Sequence, residues 1–143
     1  MKTILAILLF AGIAQAASVD LKVVSLDMSS PLKFDDSFGA GAAFNQVKFT
    51  LENKSKVAVK VQALFTIKPA DGSGNALTST VAYMPLAPKQ VAKWNMSNSM
   101  PVLYGPGKYE IEVCIQAFDG SGYKLKDKKT SNNCKSGKYE FIK

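Results

Sequence analysis

Residues 57–67 read VAVKVQALFTI, and an apolar side chain occupies every odd position of this stretch. Alternation with a period of two is typical of a β-strand that buries one face and exposes the other. Residues 108–118, KYEIEVCIQAF, repeat the pattern. The inward face of this second stretch is predicted to contain Tyr109, Ile111, Val113 and Ile115. The two stretches therefore predict two central strands of an all-β protein.

Five further stretches show weaker alternation, at 19–26, 44–52, 76–84, 90–96 and 138–142. In the second of them Val47, Phe49 and Leu51 alternate with polar residues, which predicts one dry face and one wet face. Gly, Pro, Asn and Asp cluster between the stretches and predict turns. Seven short strands within residues 17–143 favour an immunoglobulin-like sandwich of two antiparallel sheets.

The first residues have the composition of an export signal. Met1 and Lys2 precede an apolar run at residues 4–13, and small residues follow at Ala14 and Ala16. We expect residues 1–16 to be a signal peptide that is cleaved after about Ala16, leaving 17–143 as a single domain. The run is shorter than the roughly 20 residues that a spanning helix needs, so no transmembrane segment is predicted. The protein is accordingly predicted to be secreted or periplasmic.

Export favours a disulfide between Cys114 and Cys134, because secretory compartments oxidise thiols. Two free thiols are the alternative. An antiparallel pairing of the last two strands with these cysteines opposite each other brings complementary side chains together. The facing pairs are then Glu110 with Lys138, Lys108 with Glu140, and Tyr109 with Tyr139. This agreement supports both the register and the disulfide.

The composition argues against most catalytic and metal sites. The chain has no His, two Cys and 18 basic residues, all of them Lys. Without His there is no Ser/His/Asp triad and no Cys/His dyad, and two Cys alone cannot complete a tetrahedral zinc site. We therefore predict that the protein is not an enzyme and that it uses no cofactor and no metal.

Positive charge is concentrated near the C-terminus. Residues 17–119 hold ten Lys and nine acidic residues, whereas residues 120–143 hold seven Lys and two acidic residues. A local excess of this kind attracts anionic partners. The predicted contact residues are Lys124, Lys126, Lys128 and Lys129, with electrostatic support from Lys135 and Lys138. The alternative is a solvated loop that only keeps the protein soluble.

Several partners fit this charge. The candidates are an anionic polymer, a lipid head group or an acidic protein surface. Nucleic acid is not expected, because the chain lacks the Arg side chains that make bidentate contacts to bases and phosphates.

Four short motifs resemble the CARDB domains, which are cell-adhesion-related immunoglobulin-like modules of bacterial exported proteins. They are residues 52–58 (ENKSKVA), 86–90 (LAPKQ), 105–113 (GPGKYEIEV) and 131–133 (SNN). The resemblance spans roughly residues 19–142 and implies a seven-stranded sandwich with an adhesive or ligand-presenting role and no catalysis. Those modules usually carry acidic residues between the last two strands. Here residues 123–133 are rich in Lys and contain one acid, Asp127, so no calcium site is inferred.

The sequence thus predicts a monomeric exported module for binding or adhesion. Two alternatives are an inhibitor of an extracellular hydrolase, acting through the loops at one end, and a structural envelope subunit that assembles through a sheet edge. Asn53 and Asn95 also match the N-glycosylation sequon, which matters only if the source is eukaryotic.

Overall fold

The computed structural model describes residues 18–28, 30–33, 48–95 and 105–142. The predicted signal peptide at 1–16 and residues 44–47 of the second predicted strand lie outside these ranges. The described part contains eight strands: β1 (Leu21–Leu26), β2 (Leu32–Lys33), β3 (Lys48–Asn53), β4 (Val59–Pro69), β5 (Leu77–Leu86), β6 (Val91–Asn95), β7 (Gly107–Phe118) and β8 (Cys134–Ile142). Within these ranges we find no helix with the length and apolar character required to cross a membrane.

The strands form two sheets. Three of them make a sheet in the order β1-β3-β6, and the other five make a sheet in the order β2-β8-β7-β4-β5. Neighbouring strands are antiparallel apart from β2, which runs parallel to β8. The predicted all-β sandwich is confirmed, with eight strands where the sequence indicated seven. The additional strand, β2, has two residues, too few for alternation to be visible.

The core lies between the sheets and consists of the predicted inward faces. β4 and β7 occupy the middle of the larger sheet, and their alternating residues are buried: Val59, Val61, Ala63, Phe65 and Ile67, and Tyr109, Ile111, Val113, Ile115 and Ala117. The rings of Phe49 and Phe65 meet edge to face across the sandwich with centroids 5.2 Å apart. Burial of a large aromatic side chain stabilises a fold by about 2 kcal/mol or more, so this contact helps to hold the two sheets together.

The predicted register of the last two strands is confirmed. Cys114 lies opposite Cys134, and the two are joined by a disulfide. The other predicted pairs also face each other: Glu110 with Lys138, Lys108 with Glu140, and Tyr109 with Tyr139. The carboxylate of Glu110 nevertheless contacts Lys68 of β4, with 3.3 Å between Oε2 and Nζ. Strand β8 begins at Cys134, four residues before the predicted start.

Three residues depart from the simple alternation. Val57, predicted to be buried in the strand that became β4, is 37% exposed and precedes that strand. Thr50, predicted on the wet face of β3, is buried, and its hydroxyl donates to the Asp27 carboxylate at 2.5 Å. Pro85, predicted as a turn residue, lies within β5. A proline fits there because β5 is an edge strand and one side of it needs no hydrogen-bond donors.

Candidate functional site

The lysine-rich residues 123–133, hereafter the basic segment, follow directly from β7. Asp119 closes the turn after that strand, since its Oδ1 accepts hydrogen bonds from the amides of Ser121 and Tyr123 at 2.8 and 2.9 Å. The chain then returns along β7, where the amide of Leu125 donates to the carbonyl of Ala117 at 2.8 Å. The start of the basic segment is therefore an ordered extension of the larger sheet.

The middle of the basic segment is bonded to the residues that lead into β1. The amide of Val19 donates to the carbonyl of Lys126 at 3.1 Å, and the amide of Lys128 donates to the carbonyl of Val19 at 2.8 Å. Val19 and Asp127 thereby form a parallel β-bridge. Because both neighbours of Asp127 are held by main-chain bonds, this stretch has a fixed extended conformation.

Asp127 is the anchor of the basic segment. Its Oδ2 accepts from the amide of Leu21 at 3.0 Å and from the Nδ2 of Asn133 at 3.1 Å, while its Oδ1 accepts from the amide of Lys129 at 2.8 Å. The lone acid of the segment thus binds three donors of the protein itself. Leu125 packs against the core on the same inward side.

The alternation of an extended chain sends the intervening lysines outward. Lys124, Lys126 and Lys128 are exposed, as is Lys129. A short 3₁₀ turn at Thr130–Asn132 ends the segment, and the carbonyl of Asn133 then accepts from the amide of Ile115 at 2.9 Å. The disulfide at Cys134 follows immediately, so both ends of the basic segment are fixed to β7.

The remaining two predicted contact residues lie elsewhere on β8. The ammonium of Lys135 donates to the carbonyl of Val24 at 2.7 Å. Val24 is the extra residue at the irregularity of the β1–β3 pairing, where a carbonyl commonly lacks its ladder partner. Lys138 borders a different cavity, together with Ser30, Asp71 and Lys108. Lys124, Lys126, Lys128 and Lys129 therefore share one exposed segment, whereas the two supporting lysines lie on β8.

Two concave surfaces adjoin the basic segment. A groove of about 580 Å³ runs between the segment and the outer face of β7, with Lys124 and Lys126 at its border and Leu64, Gln116 and the disulfide among its lining groups. A second concavity, hereafter the lysine cleft, has a volume of about 470 Å³. Its lining residues are Ser18, Asp20, Lys54, Ser55, Lys56, Val57, Lys89 and Lys128.

The lysine cleft was not predicted from the sequence. Its lysines come from three separate segments: the turn after β3, the turn between β5 and β6, and the basic segment. Only Lys128 lies in the region of evident charge excess. The closely spaced pair Lys54 and Lys56 in the ENKSKVA motif was the one available signal, and it gives no indication that Lys89 and Lys128 lie nearby.

Asn53 directly precedes the turn that carries Lys54 and Lys56. It is fully buried, and its Nδ2 lies within hydrogen-bond distance of three main-chain carbonyls, those of Val57, Ala87 and Leu86, at 2.9, 3.0 and 3.3 Å. Its Oδ1 accepts from the amide of Ser55 at 2.9 Å. The side-chain amide is fully used inside the fold, so in the folded protein the first of the two sequons offers no free nitrogen to a glycan.

One group of potential metal ligands has its sulfurs already occupied. Among the described residues, a carboxylate oxygen of Glu112 and the sulfurs of Cys114 and Cys134 lie within 4.8 Å of one another. Both sulfurs are bonded to each other in the disulfide. Thiolates are the form in which cysteine binds metals, so this group offers none in the oxidised protein.

Comparisons with known proteins include a weak structural likeness. No family model matches the chain, and no curated protein matches it. One similar solved structure is the Pseudomonas fluorescens alkylpurine DNA glycosylase AlkC bound to DNA containing an abasic site analog, with 17% identity and a TM-score of 0.48. The match covers 89% of this chain and 32% of the glycosylase chain, so the protein spans about a third of that enzyme.

The matched protein is an enzyme, and this finding contradicts the sequence-based prediction that the present protein is not one. We withdraw that prediction. A TM-score below 0.5 assigns no activity to this chain, and the glycosylase reaction is not transferred to it. The resemblance to CARDB domains stays a prediction, since no family model tests it.

Proposed function

We propose that this protein is an exported binding module, of the adhesive kind that its resemblance to CARDB domains implies, which contacts an anionic partner through the basic segment. The observation that carries the proposal is the anchoring of Asp127. The carboxylate of this residue accepts three hydrogen bonds from the protein, whereas Lys124, Lys126, Lys128 and Lys129 are exposed around it. The positive charges are therefore held in a fixed outward row.

A fixed row of charges favours binding over simple solubilisation. A solvated loop loses conformational entropy when it binds, at about 1–2 kcal/mol for each residue that becomes ordered. The backbone of the basic segment is already bonded to β7 and to the residues before β1, so most of this cost is met during folding. The groove beside Lys124 and Lys126 adds a concave surface along which a polymer chain can lie.

The partner we favour is an anionic polymer of the cell envelope or extracellular matrix. Lys residues at positions i and i+2 of an extended chain are about 6.6 Å apart, so Lys124, Lys126 and Lys128 form a row about 13 Å long. Such a row suits a linear chain with repeated negative groups. The Debye length is about 8 Å at physiological ionic strength, so added salt should weaken this contact strongly.

The test is co-sedimentation of the oxidised protein with an envelope fraction of its source at low and high salt. The main variant carries Lys124→Gln, Lys126→Gln, Lys128→Gln and Lys129→Gln. At about 0.5 kcal/mol for each exposed ion pair, the association constant should fall about 30-fold. A matched control removes the same charge elsewhere, through Lys22→Gln, Lys48→Gln, Lys93→Gln and Lys108→Gln, and should retain most of the binding.

Three results would contradict the proposal. Equal losses in the two variants would show that binding follows net charge and not the basic segment. Retention that does not depend on salt, or no retention of the parent protein at all, would exclude an electrostatic contact with the envelope. Inhibition assays against extracellular hydrolases would then become the appropriate next experiment.

A further inference from the structure

Four lysines line the lysine cleft, a concavity of about 470 Å³. Lys54, Lys56, Lys89 and Lys128 are all exposed, and the one carboxylate in the lining belongs to Asp20. In the described ranges the one salt bridge joins Lys68 and Glu110, and neither residue lines this cleft. The cleft thus carries a net excess of positive charge that no described carboxylate neutralises by a direct ion pair.

The three segments that carry these lysines are bonded to one another. The amide of Lys54 donates to the carbonyl of Asp20 at 2.8 Å, and the amide of Asp20 donates to the Ser55 hydroxyl at 2.8 Å. Asn53 ties the turn after β3 to the carbonyls of Leu86 and Ala87, next to the turn that holds Lys89. The backbone positions of the cleft lysines are therefore set by the fold.

Lys89 provides an independent indication. Its φ of 59° lies in the left-handed region, which Gly and Asn adopt at lower cost than Lys. Its Nζ donates to the carbonyl of Lys54, and this bond directs the side chain towards the turn after β3. Residues in sparsely populated backbone conformations are found preferentially at functional sites, and Lys89 lines the cleft.

We propose that the lysine cleft binds a tetrahedral oxyanion, a phosphate or sulfate group carried by the anionic polymer. This inference rests on the proposed function and adds to it a specific binding site for one charged group of the polymer. Lysine ammonium groups act as point charges with several donors, and they do not supply the planar fork with which Arg selects carboxylates. Lysines that approach from three sides suit an anion whose oxygens point in several directions.

Lys128 connects the cleft with the basic segment. It lines the cleft and also ends the outward row of Lys124, Lys126 and Lys128. A polymer with one oxyanion in the cleft can therefore continue along the row with its next charged groups. A phosphatidylglycerol head group carries a single phosphate, so one such lipid does not supply this second contact.

The experiment follows main-chain amide signals by NMR while inorganic phosphate is added to the oxidised protein at a constant, physiological ionic strength, where the Debye length is about 8 Å. We expect saturable shifts at Ser55, Lys56 and Lys128. The cleft variant carries Lys54→Gln, Lys56→Gln and Lys89→Asn. At a factor of about two for each exposed charge contact, its affinity for phosphate should fall about eightfold. Lys89→Asn suits the left-handed turn, so this change should not lower the unfolding midpoint.

The matched control carries Lys22→Gln, Lys48→Gln and Lys93→Gln, which removes the same charge outside both the cleft and the basic segment. Its affinity for inorganic phosphate should change less than twofold. Equal losses in the two variants, or no saturable shift of the cleft amides in the parent, would overturn the cleft proposal. If the cleft variant misfolds, the pair Lys56→Gln and Lys128→Gln tests the same site with two exposed side chains.

Longer probes separate this proposal from the proposed function. Polyphosphate and dextran sulfate should bind more tightly than inorganic phosphate. The cleft variant should weaken this binding, and so should the basic-segment variant with Lys124→Gln, Lys126→Gln, Lys128→Gln and Lys129→Gln. Vesicles of phosphatidylglycerol should bind no better than free phosphate, and equal or tighter binding to vesicles would overturn the choice of a polymer. If polyphosphate binding depends on the basic segment but not on the cleft variant, the cleft proposal fails while the proposed function stands.

Discussion

Replacement of Asn53 tests how the fold supports the candidate site. In Asn53→Ala the amide of Ser55 loses its acceptor, and the carbonyls of Val57, Leu86 and Ala87 lose the donor that they share. A buried polar group without a partner costs about 1–3 kcal/mol. The Ser55 amide is left without an acceptor, and the three carbonyls can recover only part of their hydrogen bonding by small shifts. Together these losses should lower the free energy of unfolding by about 2–4 kcal/mol.

The assay is urea unfolding followed by circular dichroism, beside a thermal scan. For a domain of this size 1 kcal/mol corresponds to about 3–5 °C, so the midpoint should fall by about 10 °C. Asn95→Ala is the matched control. Asn95 is exposed at the end of β6, and its replacement should change the free energy of unfolding by less than about 0.5 kcal/mol.

Asn53→Asp distinguishes the loss of a donor from the loss of volume. The replacement retains the acceptor for the Ser55 amide but places a second oxygen against three carbonyls. Burial and these carbonyls should raise the pKa of the new carboxyl, so stability should be lost as pH rises above about 4 and recovered in part on acidification. A loss below about 1 kcal/mol in Asn53→Ala, or a pH-independent loss in Asn53→Asp, would refute the reasoning.

Three further predictions concern the disulfide, the acidic side of the pH profile and the titration of Tyr139. Replacing both Cys114 and Cys134 with Ser releases a link across 20 residues and should lower the free energy of unfolding by about 3 kcal/mol, measured by urea unfolding beside the reduced parent. The hydroxyls of Ser25 and Thr50 lower the pKa of Asp27, so the ionised carboxylate stabilises the fold above about pH 4 and this stabilisation is lost as pH falls. In Asp27→Asn the free energy of unfolding should therefore depend less on pH in the acid range, as measured by urea unfolding. Burial, followed by the Asp27 charge, raises the pKa of Tyr139, and the same variant should lower that pKa in an NMR titration.

Much of the sandwich could be predicted because its strands repeat a strict two-residue period. The register of β7 and β8 followed from a single assumption, that Cys114 faces Cys134, and the charged and aromatic pairs agreed with it. The period failed where a side chain has a specific hydrogen-bonding task. Thr50 is buried, and its hydroxyl donates a hydrogen bond to the Asp27 carboxylate. Val57 is exposed in the turn after β3, where its carbonyl accepts a hydrogen bond from the side chain of Asn53.

The candidate site was predicted only in part, and the reason is its topology. Four of its lysines are close together in the sequence and were found by charge counting. Lys54 and Lys89 lie in turns at the ends of different strands, and only the packing of the sandwich brings them near Lys128. The same counting assigned Lys135 to an outer contact, whereas its ammonium is used by the irregular strand β1.

Asp127 links the order of the basic segment to its charge. In the sequence this residue argued only against a calcium site, because one carboxylate among lysines cannot coordinate a hard cation. In the fold the same carboxylate gathers donors from β1, from Lys129 and from Asn133. A lysine-rich segment would otherwise be extended and mobile through its own repulsion. One inward acid thus turns a general charge excess into a defined row of cations, and only a defined row can distinguish one spacing of anionic groups from another.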